Sequence, residues 1–173
     1  MMKKFLIIVC LVVWGLVSEA QAKVNIFAYS RPAPETKVYD SLGKSVGFAD
    51  YRGDFIIAVF WSKTCIPCLR EMPDLKSFVQ KTEGNGIKVM LISSEKEWIS
   101  ANEQEELLKK HGGDGIAHFV DRKSALANEF GIFSSPHSVL INVDGMEIGR
   151  IRGAVDWDDE EVIEYIYKLR ATH

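Results

Sequence analysis

The stretch from residue 55 to about residue 83 constrains this chain most. Phe55-Ile56-Ile57-Ala58-Val59-Phe60-Trp61 is a continuous apolar run, preceded by the turn residues Tyr51-Arg52-Gly53-Asp54. Such a run suits a strand buried on both faces. Cys65-Ile66-Pro67-Cys68 follows, and then Leu69, Met72, Leu75, Phe78 and Val79 recur at helical spacing. A strand that delivers two cysteines onto the start of a helix makes a redox site. The first sulfur meets the positive end of the helix macrodipole and its free N–H groups, which stabilise a thiolate. The second lies one turn on, close enough to close a disulfide and act as a resolving partner. Pro67 sits in the first helical turn, where its missing N–H costs nothing and its fixed φ stiffens the loop. Pro73 falls inside the helix and is expected to kink it.

The remaining pattern supplies a layered α/β order. Residues 23–34 read as an extended entry segment, and 36–48 as a β-hairpin turning at Leu42-Gly43-Lys44. A second buried strand is expected over 87–92, a polar amphipathic helix over 100–111 and a short strand over 116–120. A short helix over 123–130 has Gly131 as its C-cap. Strands over 138–143 and 147–152 flank the hairpin turn Asp144-Gly145, and Asp156 is expected to cap a last helix that runs to about residue 170. The β-α-β start implies parallel pairing and the closing hairpin antiparallel pairing, so the sheet is mixed, with helices on both faces.

The first 22 residues read as a secretory leader. Lys3 and Lys4 precede an uncharged run over 5–17, and Ala20-Gln21-Ala22 is an A-x-A cleavage signal. The run is short for a membrane span, and a retained anchor is the alternative. Cys10 lies in this run after Val9, so it does not look like a lipoprotein cysteine. Residues 23–173 then form one domain, whose only cysteines are Cys65 and Cys68. Export places them in a periplasmic compartment where disulfides persist. A purely structural bridge across two residues would remove little unfolded-chain entropy. No second cysteine pair or His-x-x-x-His pair is present to complete a zinc site. A formal charge of -3 without a basic run gives no support for nucleic-acid binding.

Phe60-Trp61-x-x-x-Cys65-x-x-Cys68-x-x-Glu71-x-Pro73, with Ser135-Pro136 far downstream, resembles the thioredoxin superfamily. More narrowly it is similar to the exported TlpA/ResA branch, which includes the CcmG (DsbE) proteins of cytochrome c maturation. Gly131-Ile132-x-x-x-Pro136-x-x-x-Leu140-Ile141-x-x-x-Gly145 resembles the second block of that branch, as does Gly153-x-x-x-Trp157. The segment from about 95 to 119 fits the β/α insertion of the branch. The resemblance implies a thioredoxin fold over roughly 33–170, with Cys65 as exposed nucleophile and Cys68 as buried resolving thiol. It implies that Pro136 is a cis-proline facing the cysteines, with the Ser135 backbone offered to a substrate segment. Trp61 would pack under the active-site loop, and Lys63 and Thr64 would belong to the exposed partner surface. Glu71 would tune the thiols or relay a proton to Cys68. The implied partners are proteins carrying disulfides or thiols, with a membrane electron donor for re-reduction. No cofactor or metal is required, and a monomer is expected.

Two departures from the family pattern stand out. The buried aspartate that classical thioredoxins carry six positions before the first cysteine is Val59 here, which leaves Glu71 as the nearby candidate proton carrier. His137 follows Pro136 where cytochrome-maturation members often carry glutamate. It is expected as a partly exposed loop histidine shaping partner choice, or as a rim group that stabilises the Cys65 thiolate. His111, His118 and His173 read as structural or solvated.

The chain therefore reads as an exported thiol–disulfide oxidoreductase that reduces exported proteins, apocytochrome c among the candidates. The alternatives are a disulfide donor of the same fold, a copper chaperone using Cys65, Cys68 and His137, and a peroxidase. Peroxiredoxins place a proline and a threonine ahead of their cysteine, at positions that hold Ala58 and Ser62 here.

Overall fold

The computed structural model describes residues 22–173, so the leader expected over 1–22 lies almost wholly outside the described residues. The chain runs β1 (Lys23–Pro32), β2 (Val38–Tyr39), β3 (Ser45–Val46), β4 (Phe55–Phe60), α1 (Ile66–Lys81) and β5 (Ile87–Ser94). It continues through α2 (Ala101–Lys110), β6 (His118–Asp121), α3 (Ala125–Phe130), β7 (His137–Ile141), β8 (Met146–Arg152) and α4 (Glu160–Thr172). The strands form one sheet in the order β1-β8-β7-β4-β5-β6-β2-β3. β4, β5 and β6 pair in parallel, while β7 runs antiparallel to both β4 and β8. This is the mixed sheet that the element order implied, with the thioredoxin fold that the resemblance implied.

Strand alternation sorts the core into two layers. Phe55, Ile57 and Val59 of β4 join Val89 and Leu91 of β5 and Leu140 of β7 under Met72, Leu75 and Phe78 of α1 and Ile166 of α4. Ile56, Ala58 and Phe60 join Met90, Ile92, Val139 and Ile141 on the other face, under Leu126 and Phe130 of α3 and Phe48. Every residue of β4 is buried, which is why its sequence shows no alternation. The 36–48 hairpin forms with short arms, Val38 opposite Val46, and joins the far sheet edge through Tyr39 and Val120.

Two expectations are corrected. The entry segment is a full edge strand, pairing from Lys23 opposite Arg152 to Ile26 opposite Gly149, with an irregularity before Arg31. Its pattern hides this because an edge strand can be largely exposed and can end in a proline. Gly149 permits the pairing, since a Cβ there would lie 2.8 Å from the Asn25 carbonyl oxygen. The cap of the last helix is Asp159, whose carboxylate accepts from the Glu161 N–H at 2.7 Å. Asp156 instead heads the preceding turn, its carbonyl accepting from the Asp159 N–H.

Candidate active site

β4 and β7 meet at one end of the sheet, where Phe60 lies opposite His137. Because the strands are antiparallel, the chain leaves β4 toward the cysteines where it enters β7 from Pro136. The 62–64 turn closes with the Cys65 N–H on the Ser62 carbonyl at 3.1 Å. Cys65 is the N-cap of α1, and its Sγ accepts from the Cys68 N–H at 3.2 Å. A helix N-terminal N–H is thus already aimed at this sulfur, the arrangement that stabilises a thiolate. The helix begins at Ile66, one residue earlier than Pro67. Cys65 and Cys68 are disulfide-bonded with Cα atoms 5.3 Å apart, an ordinary separation for such a bond. Cys68 is fully buried and Cys65 is partly exposed.

The Ser135–Pro136 peptide is cis. Pro136 is buried, Ser135 is half-buried, and the Pro136 carbonyl accepts from the Gly153 N–H at 3.0 Å. Trp61 is buried in the layer that holds Cys68, its indole N–H unpartnered, and its ring lies 5.4 Å from that of Trp98.

Glu71 is buried, not solvated. One carboxylate oxygen accepts from the Val155 N–H at 3.0 Å, while the other is buried with no partner. Burial pushes its pKa up from 4.5 to about 7, against the Val155 N–H and the Trp157 indole, which favour the charged form. The indole acts from outside hydrogen-bond geometry.

His137 departs from both expectations, being neither an exposed loop residue nor a rim group. It alternates in register with Val139 and Ile141, whose layer faces α3, whereas Cys68, Trp61 and Leu140 belong to the α1 layer. The imidazole is therefore on the sheet face away from the cysteines and cannot join them in a copper site. Burial, with Arg150 and Arg152 nearby, pushes its pKa down from 6.5 to about 4, and its Nε2 has no partner.

The 62–64 turn is braced by the inserted segment, which the sequence did not reveal. The Glu97 carboxylate accepts from the Lys63 N–H at 2.8 Å, and the Lys63 ammonium donates to Glu103 at 2.7 Å. The second Glu103 oxygen accepts from the Ile99 N–H. Trp98 donates its indole N–H to Ser93 at 2.7 Å. Lys63, expected on the exposed partner surface, is thus tied down and only half-exposed, while Thr64 is exposed. The only signal available was a tryptophan in a segment with no apolar period.

The AhpC/TSA family model matches residues 29–166. The thiol-disulfide oxidoreductase ResA of Bacillus thuringiensis subsp. konkukian is 25% identical over 139 residues, covering 80% of this chain and 77% of the relative. ResA of Bacillus subtilis is 19% identical over 150 residues, covering 87% of this chain and 82% of its own. Among solved structures, a thiol:disulfide interchange protein DsbE from Chlorobium tepidum superposes with a TM-score of 0.69 at 20% identity, over 80% of this chain and 95% of that one. StoA from Bacillus subtilis gives 0.62 at 22% identity, over 78% and 98%. With its cysteine pair at the head of α1 and a cis-proline beside it, the chain belongs to the AhpC/TSA family as a thiol–disulfide oxidoreductase similar to ResA, and it shares the fold of the DsbE structure.

Proposed function

We propose that the protein is exported by its leader and reduces disulfides of other exported proteins, with apocytochrome c as a candidate substrate. The observation that carries this reading is the asymmetry of the pair. Cys65 is half-exposed at a helix N-terminus with an N–H on its sulfur, and Cys68 is fully buried behind it.

In the reducing direction the Cys65 thiolate attacks one sulfur of the substrate disulfide. A mixed disulfide forms, and the other substrate sulfur leaves as a thiolate. Cys68 loses its proton and attacks the Cys65 sulfur. The second substrate sulfur leaves, and two electrons have passed from the dithiol to the substrate. A membrane electron donor would restore the dithiol. Glu71, one helical turn from Cys68 and titrating near neutrality, is the group to take the Cys68 proton. The Ser135 backbone beside cis-Pro136 would pair with the substrate segment. Trp61 would support the loop from below, and Pro67 would keep it stiff.

Among the described residues no helix is long and apolar enough to cross a membrane. A peroxidase reading has less support, because Ala58 and Ser62 stand where that chemistry uses proline and threonine.

The test is trapping in the exporting cell. Cys68→Ser should accumulate mixed disulfides that dithiothreitol releases, and Cys65→Ser should accumulate none. Equal trapping by both variants, or by neither, would contradict the assignment of nucleophile and resolving thiol.

A further inference from the structure

A groove of about 620 Å³ runs from Ile66 along α1 to the end of α2. Ile66, Leu69 and Pro73 form its apolar lining, and Arg70, Lys110 and His111 its polar one. Ile66, the residue after Cys65, is 61% exposed. Gly112, at φ +78, closes the far end by packing against the Pro73 ring; a Cβ there would lie 3.2 Å from Pro73 Cγ. Pro73 has no N–H to give the Leu69 carbonyl one turn before it.

The groove lining contains no carboxylate, in a chain whose formal charge is -3. Among the described residues neither Arg70 nor Lys110 forms an ion pair. Of the acids near these cations in sequence, Glu71 is buried against the Val155 N–H and Asp114 is bound by Lys76 at 2.9 Å, while Glu106, one helical turn before Lys110, makes no ion pair with it. The terminal carbonyls of α2, which would repel an anion, are capped. Leu107, Leu108 and Lys109 accept from the N–H groups of His111, Gly112 and Gly113.

We propose that this groove docks an acidic segment of the protein whose disulfide Cys65 exchanges. An apolar side chain of that segment lies against Ile66 and Leu69, and flanking carboxylates meet Arg70 and Lys110. The inference rests on the thiol-exchange reading above and names the chemistry of its partner. Unpaired cations beside an apolar strip select charge and raise the encounter rate.

The probe is a set of three synthetic peptides, each with the same disulfide and adjacent leucine, flanked by two glutamates, two glutamines or two lysines. Stopped flow gives the second-order rate constant of the reduced protein with each. The glutamate peptide should react about tenfold faster than the lysine peptide at low ionic strength, with the gap closing in high salt. The double variant Arg70→Glu, Lys110→Glu should abolish or invert that preference while reducing hydroxyethyl disulfide within about twofold of the parent rate. Equal rates for the three peptides would overturn the docking inference and leave the oxidoreductase reading intact. A variant slowed alike on every disulfide would also overturn it, because the charges would then act on the thiol and not on docking. Failure of the parent protein to reduce even hydroxyethyl disulfide would overturn the oxidoreductase reading itself.

Discussion

Glu71 illustrates how a residue type visible in sequence acquires its chemistry only from its surroundings. One turn beyond Cys68 it could have been a solvated helix carboxylate. The fold buries it against Val155 and Trp157 and lifts its pKa to about 7. Glu71→Gln should slow disulfide exchange by about 10²-fold and erase an inflection near pH 7 from its rate profile, read by stopped flow. A profile that keeps the inflection would assign the proton to another group. Trp157 supports the same corner from the α1 layer, fully buried with its ring 5.4 Å from Phe78. Trp157→Ala should cost about 3–5 kcal/mol in denaturant unfolding. His137 teaches the converse lesson. Its place after Pro136 was legible, but which face of the sheet it would occupy depends on the β4–β7 register, a long-range pairing with no local signal.

At the scale of elements, the stretch from β4 into α1 was readable because each signal there is local. The apolar run, the cysteine pair, the helical spacing and Pro67 all agree. β1 and the 95–104 brace were not, since one is an exposed edge and the other is held by side chains from distant segments. That brace makes its own prediction. Glu103 holds the Lys63 ammonium at 2.7 Å, and its carboxyl pKa is lowered first by the Ile99 N–H and then by Lys63. Glu103→Gln frees that ammonium two residues before Cys65, so the Cys65 thiol pKa should fall, read from thiolate absorbance against pH. An unchanged or raised pKa would mean that the brace does not set the local charge at the sulfur.

For the molecule as a whole, two buried groups oppose each other in the pH dependence of stability. The Glu71 pKa is raised from 4.5 to about 7, so its contribution is full below 4.5 and lost as pH rises toward 7, a swing of up to about 3 kcal/mol. The His137 pKa is lowered from 6.5 to about 4, so its contribution is full above 6.5 and lost as pH falls toward 4. Between pH 4.5 and 6.5 the two slopes offset, and Tm should vary little. Glu71→Gln should expose the falling acid limb of His137, with Tm dropping steadily below pH 6.5. The central claim concerns the direction in which the whole molecule moves electrons. Its most direct test is the reduction potential of the Cys65–Cys68 pair, found by equilibrating residues 23–173 against defined glutathione or dithiothreitol buffers. A reductant requires a value near or below roughly -230 mV, toward the thioredoxin end of the range. A value near about -120 mV would mark a disulfide donor and contradict the account.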